Sequence, residues 1–171
     1  MKELQLLALA TFFSLIIGGG LFLLVEGDSI PGFGSNYSPA FKTLDVGIDG
    51  PTDVLVERKN YIFRDKDDYL AFWELLYGND PTAQNAPFVN FTRDHVIAVV
   101  AGVKSSGGYD IYIRDIIEGI DERLIETIII SPDENCAATG ALTNPYHIVV
   151  VKKTDKPLRA IEVREEYSCG E

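Results

Sequence analysis

The second half of the chain carries the hydrophobic patterns of β-strands. His95 to Val103 is almost entirely apolar, which predicts a central strand covered on both faces. From Tyr109 to Arg114 apolar or aromatic residues alternate with polar ones, which predicts a half-buried strand. Further strands are predicted over 123–131, 146–151 and 158–165, the last with the charged alternation of an edge strand.

One soluble helix is predicted just before this region. Asp65 is a favourable N-cap, and Asp68 follows three residues later as in a capping box. The next residues place aromatic and leucine side chains at three- and four-residue spacing, so they share one face: Tyr69, Phe72, Trp73, Leu76 and Tyr77. Gly78 to Pro81 ends the helix. We expect this face to pack in the core, and a peptide groove is the alternative.

Together these patterns predict an α+β fold. Residues 54–63 add strand character upstream of the helix, which brings the total to about six strands. The strands after Phe91 follow one another without crossover helices. We therefore expect a mostly antiparallel sheet or sandwich with one packed amphipathic helix.

The N-terminus predicts a membrane segment. Leu4 to Val25 is an uncharged run of 22 residues, and as a helix it would span about 33 Å. Lys2 precedes it and acidic residues follow it, so we expect residues 1–26 to be a single-pass anchor with the N-terminus cytoplasmic and the rest outside. The alternative is a signal peptide cleaved near Gly18 to Gly20, which would release a secreted protein.

The segment 27–52 predicts a tether, because five Gly and three Pro interrupt any periodicity. The alternative is that part of it is ordered, with Phe33, Tyr37, Phe41 and Leu44 packed on the domain. The folded extracytoplasmic domain is then expected over 53–171. Asn36 and Asn90 each match the short pattern of an N-glycosylation acceptor.

Charge narrows the range of partners. The chain has a net charge of −11, and residues 53–171 contain 13 Lys and Arg against 21 Asp and Glu, a net charge of −8. Such a surface repels phosphate backbones, so nucleic acid is not expected as a partner. It suits solubility or a basic protein partner.

The sequence offers little catalytic chemistry. The run Ser105 to Tyr109 lacks the lysine and the following helix of a phosphate-binding loop, so we interpret it as a hairpin turn. Both histidines lie in apolar strands, and a triad such as Ser106–His147–Asp110 keeps a serine-type hydrolase as a minor alternative. No ligand spacing for a metal is present, and no cofactor is expected. We expect no catalytic residues and no enzyme.

Cys136 and Cys169 are the two cysteines. In an exported domain such a pair predicts a disulfide, with two unpaired thiols as the alternative.

Five pieces of sequence in a fixed order resemble the C-terminal domain of the PrcB family of protease-complex-associated proteins. The pieces are Tyr69 to Trp73, Val89 to Phe91, Val96 to Gly102, Ser106 to Ile111, and the run from Cys136 to Val149. The resemblance implies an exported accessory protein that assembles with or stabilises a surface protease, and it implies no enzyme.

Two loops are the candidate partner-binding surface of such a module. Each couples small turn residues to an aromatic at the start of a strand: Ser106, Gly107, Gly108 and Tyr109 in one, and Asn144, Pro145 and Tyr146 in the other. Aromatics at such positions suit protein interfaces, although core packing of both tyrosines is the alternative.

A second resemblance keeps protease inhibition open. Chagasin-like inhibitors present a Thr-Gly-Tyr loop and an Arg-Pro-aromatic loop, to which Ser106–Tyr109 and Lys156–Leu158 are similar in order. This alternative expects both loops to contact a papain-like protease.

Overall fold

A computed structural model describes residues 40–78, 85–136 and 140–169. In chain order the described elements are β1 (Phe41–Gly47), β2 (Lys59–Phe63), α1 (Lys66–Tyr77), β3 (Asp94–Val100), β4 (Asp110–Glu118), β5 (Arg123–Pro132), β6 (Tyr146–Lys152) and β7 (Leu158–Tyr167). Within these residues no helix has the length and apolar character to cross a membrane. The predicted anchor and the first part of the tether lie outside the described residues.

The elements form three layers. The first sheet has the strand order β1-β6-β3-β2, and the second has the order β4-β5-β7. Helix α1 packs on one face of the first sheet, and the second sheet faces the other. One hydrophobic cluster therefore joins α1 to the first sheet, and a second cluster fills the space between the sheets. This arrangement confirms the predicted α+β class.

The middle layer explains the continuous apolar run after His95. β3 and β6 pair with each other inside the first sheet, so both of their faces are covered. Val96, Ala98 and Val100 face the helix, while Ile97 and Val99 face the second sheet. The predicted central strand is confirmed.

Helix α1 forms as its sequence predicts. The Asp65 carboxylate accepts a hydrogen bond from the Asp68 amide at 2.9 Å, which caps the first turn. The four residues Tyr69, Phe72, Trp73 and Leu76 are buried, and they pack against aromatic residues of β2 such as Phe63. The face is core, and the peptide-groove alternative is not supported.

The expectation of antiparallel pairing is wrong for one pair of strands. β7 pairs with β5 in parallel, and the other described pairs are antiparallel. The chain leaves the first sheet after β6, and residues 153–157 carry it to the second sheet, where β7 lies at the edge. The edge position of this strand was predicted correctly.

The ordered domain starts before residue 53. Phe41–Gly47, inside the segment predicted to be a tether, forms β1 and pairs with β6. Leu44 packs against the cluster under α1, and Phe41 packs between the sheets. These two contacts confirm, for Phe41 and Leu44, the alternative that part of the tether packs on the domain.

A disulfide joins Cys136 to Cys169, as predicted. It links the loop after β5 to the residues after β7. The backbone hydrogen bond from the Asp133 amide to the Tyr167 carbonyl lies beside it. The ends of the two parallel strands are therefore held together.

Candidate functional site

The two loops singled out in the sequence lie side by side. Lys104 and Thr143 exchange two backbone hydrogen bonds of 2.8 and 3.1 Å. The Thr143 hydroxyl donates to the Ser106 carbonyl at 2.9 Å. The loop 105–109 and the approach to β6 therefore form one continuous surface at one end of the domain.

The loop 105–109 is not a hairpin turn, so this interpretation was wrong. It carries the chain from β3 in the first sheet to β4 in the second. Gly108 has a φ of +91°, and a Cβ atom there would lie 2.7 Å from the Tyr167 hydroxyl. The positive φ favours glycine here, and the side chain of Tyr167 from β7 lies against it.

The second loop is buried rather than exposed. Asn144, Pro145 and Tyr146 are all buried, which agrees with the alternative that Tyr146 packs in the core. The Asn144 side-chain amide donates to the carbonyls of Pro51 and Leu55, at 2.6 and 2.9 Å. Its role is to fasten the segment after β1 to the sheets.

Tyr146 belongs to a hydrogen-bonded cluster that joins α1 to the first sheet. Its hydroxyl donates to the Asp45 carboxylate at 3.1 Å, and it lies 3.0 Å from the Tyr77 hydroxyl. Tyr77 also donates to Asp45. Burial, followed by these hydrogen bonds, raises the pKa of Tyr77, and burial raises the pKa of Tyr146 to about 12. Both phenols are therefore neutral donors at neutral pH.

Four exposed aliphatic side chains surround the junction of the loops. Ile48, Val54, Val56 and Leu142 are between 49 and 60% exposed. Backbone hydrogen bonds bring their segments to the junction, because the carbonyl of Ile48 accepts from the Asn144 amide and that of Val56 accepts from the Val103 amide. Leu142 directly precedes Thr143, and Val54 directly precedes Leu55, whose carbonyl accepts from the Asn144 side chain. We call these four residues the aliphatic patch. The sequence does not reveal this patch, because its members lie far apart along the chain. The prediction of strand structure for Val54 and Val56 was wrong, since β2 begins at Lys59.

The geometry around His147 does not support the serine triad. Its Nδ1 atom accepts a hydrogen bond from the Ile113 amide at 2.9 Å, so its Nε2 atom carries the proton and donates to the Thr43 hydroxyl at 2.8 Å. Burial lowers the pKa of this imidazole, which keeps it neutral. Both nitrogens are engaged, so neither is available to Ser106 as a base.

The two loops of the inhibitor hypothesis are far apart. Gly108 lies beside Tyr167 at the end of β7, whereas Lys156–Leu158 leads into the start of that strand. A strand of this length separates its ends by about 30 Å. The structure therefore does not present them together as one inhibitory edge.

The fold and the site define a class: a β-rich α+β domain whose loop junction is bordered by exposed aliphatic residues. Residues 95–152, from β3 through β6, match the family model described as PrcB C-terminal. This match confirms the resemblance to the PrcB family over these residues. Comparison with curated proteins finds no match, and comparison with solved structures finds none either.

Proposed function

We propose that this protein is a membrane-anchored, extracytoplasmic protein-binding module that acts as an accessory or stabilising subunit of a surface protease complex. The observation that carries the proposal is the aliphatic patch at the junction of the two loops. The assignment of residues 95–152 to the PrcB C-terminal family supports a protease-complex partner. The uncharged N-terminal run supports the anchor, and the disulfide supports an oxidising compartment.

The patch has the properties of a recognition surface. Exposed aliphatic side chains that lie together, rather than scattered, favour protein contact because binding removes their surface from water. The backbone beneath the patch is held by the Asn144 hydrogen bonds and by Lys104–Thr143 pairing. Little conformational entropy is then lost when a partner binds.

Charge substitution in the patch tests the proposal. We expect the double variant Val56→Glu/Leu142→Glu to lose co-purification of a protease from native membranes by at least tenfold, because binding would bury two carboxylates against apolar surface. The measurement is quantitative mass spectrometry of affinity-purified full-length protein.

Ile120→Glu is the matched control. Ile120 is 92% exposed in the turn between β4 and β5, where no binding is proposed. Retention of the same protease by the patch variant and the control, with both folded by circular dichroism, would rule out the patch as the binding surface.

A further inference from the structure

One side of the space between the two sheets is open. β2 and β7 are edge strands of their respective sheets, and they lie on the same side of the domain. A cavity of about 130 Å³ opens between them, with Tyr61 and Ile62 on one wall and Leu158 and Ala160 on the other. Ile97 and Ile125 form its floor, so this part of the cleft is apolar.

Further along the cleft the lining becomes cationic. Arg58, just before β2, donates to the Val100 carbonyl at 3.2 Å and forms a 2.6 Å ion pair with Glu162 of β7. Arg164 lies two residues after Glu162 and so shares its face of the strand. Lys104 lies near Arg58, on the wall formed by the first sheet. It comes two residues after Gly102, which packs against the backbone of residues 56–58. We call this opening, from the apolar cavity to Lys104, the inter-sheet cleft.

These cations outnumber the acids available to them. Glu162 pairs with Arg58, whereas Lys104 and Arg164 form no ion pair with a described residue. Burial lowers the pKa of Lys104, and the positive charges of Arg164 and Arg58 lower it further. The Lys104 ammonium also lies 5.6 Å from the centre of the Tyr109 ring. The cleft therefore has a local excess of positive charge, although the protein has a net charge of −11.

We propose that the inter-sheet cleft binds an extended acidic segment of a partner protein, with a carboxylate between Lys104 and Arg164 and an aliphatic side chain in the apolar cavity. This inference rests on the proposed function as a protein-binding module, but it uses the cleft that adjoins the aliphatic patch rather than the patch itself. Charge complementarity favours an acidic ligand, because an anionic side chain would form ion pairs with two cations that have none among the described residues.

The distance between the apolar cavity and the cationic end of the cleft determines how far apart the aliphatic and acidic residues of the ligand must be. Ala160 at the apolar cavity and Arg164 at the cationic end are four residues apart on one face of β7, or about 13 Å. An extended peptide that runs alongside β7 therefore needs its aliphatic and acidic residues four positions apart. No described strand pairs with the outer edge of β7, so its backbone groups are available for such a segment.

A synthetic peptide provides the test. The probe is the fluorescein-labelled heptapeptide Ser-Val-Thr-Ser-Thr-Glu-Ser, and its control has Gln in place of Glu. We expect the full-length protein in detergent to bind the Glu peptide at least tenfold more tightly in fluorescence polarisation. We also expect that preference to weaken as salt is raised.

Substitutions in the cleft and on the other face of β7 test where the peptide binds. Lys104→Gln/Arg164→Gln should abolish the preference for the Glu peptide, whereas Arg159→Gln should retain it. Arg159 is the matched control because it lies on the other face of β7 and pairs with Glu122. Thermal melting verifies that each variant is folded.

Three results would overturn the inference. One is equal binding of the two peptides by the native protein, and another is an unchanged preference in the Lys104→Gln/Arg164→Gln protein. The third is binding of inorganic phosphate, detected by calorimetry, with no preference between the peptides, since that describes a simple anion site. If the peptide test fails while Val56→Glu/Leu142→Glu still loses the protease, the inference fails and the proposed function stands.

Discussion

At the residue scale, His147 connects three strands through its two ring nitrogens. It lies on β6, accepts a hydrogen bond from Ile113 of β4 and donates to Thr43 of β1. The register of β4 shifts just after Ile113, between residues 113 and 115. The histidine thus satisfies a backbone amide at an irregular point of the second sheet, where an unpaired buried amide would be costly.

The first prediction concerns the replacement His147→Gln. We expect it to lower the free energy of unfolding at pH 7.5 by about 1–3 kcal/mol, because the Ile113 amide loses its acceptor. Urea denaturation followed by circular dichroism measures this change. The same series repeated between pH 7.5 and 5 tests the protonation state.

The sign of the pH effect follows from the lowered pKa. Below the ordinary histidine value of about 6.5 the unfolded chain takes up a proton that the folded state resists, so stability falls as pH decreases toward the folded pKa. His95 also has a lowered pKa, so His147→Gln should reduce this fall without removing it. Parallel stability curves for the two proteins would contradict the assignment.

At the element scale, β7 shows how one edge strand is fixed in place. Glu162 pairs with Arg58, Tyr167 lies against Gly108, and Cys169 is bonded to Cys136 just beyond the strand. Two of these contacts reach across from the second sheet to loops that leave or enter the first. They keep one wall of the inter-sheet cleft in position.

Removing the disulfide tests this view of β7. The double variant Cys136→Ser/Cys169→Ser should lose about 3–4 kcal/mol of stability, because the bond closes a loop with a sequence separation of 33 residues. Chemical denaturation of oxidised, reduced and variant proteins makes the comparison. The reduced native protein should match the variant, and a loss below about 1 kcal/mol would show that the bond contributes little.

Strands and helices were predicted correctly where the buried residues form an unbroken or regularly spaced apolar pattern. The apolar run of β3 and the three- and four-residue spacing of α1 each specify one structure. The parallel pairing of β7 could not be predicted, because it depends on which sheet the segment 153–157 reaches. β1 was not predicted as a strand, although packing of Phe41 and Leu44 was the stated alternative, because its residues lie among glycines and prolines.

At the scale of the whole molecule, binding surfaces arise where distant parts of the chain meet. The sequence singled out the loop 105–109, which does lie at the junction, but it also singled out Asn144 to Tyr146, which are buried. Lys104 and Arg164 are 60 positions apart, and Val56 and Leu142 are 86 apart. Only the arrangement of the two sheets brings each pair to one surface, so no local pattern could have predicted them.

Site-specific photo-crosslinking in native membranes tests directly whether the aliphatic patch contacts a protease complex. A photoreactive amino acid at Val56, in the aliphatic patch, should form a covalent adduct with one discrete protein that mass spectrometry identifies as a protease or a protease-complex subunit. The same group at Ile120 should not form this adduct. No adduct at Val56, or the same adducts from both positions, would contradict the account.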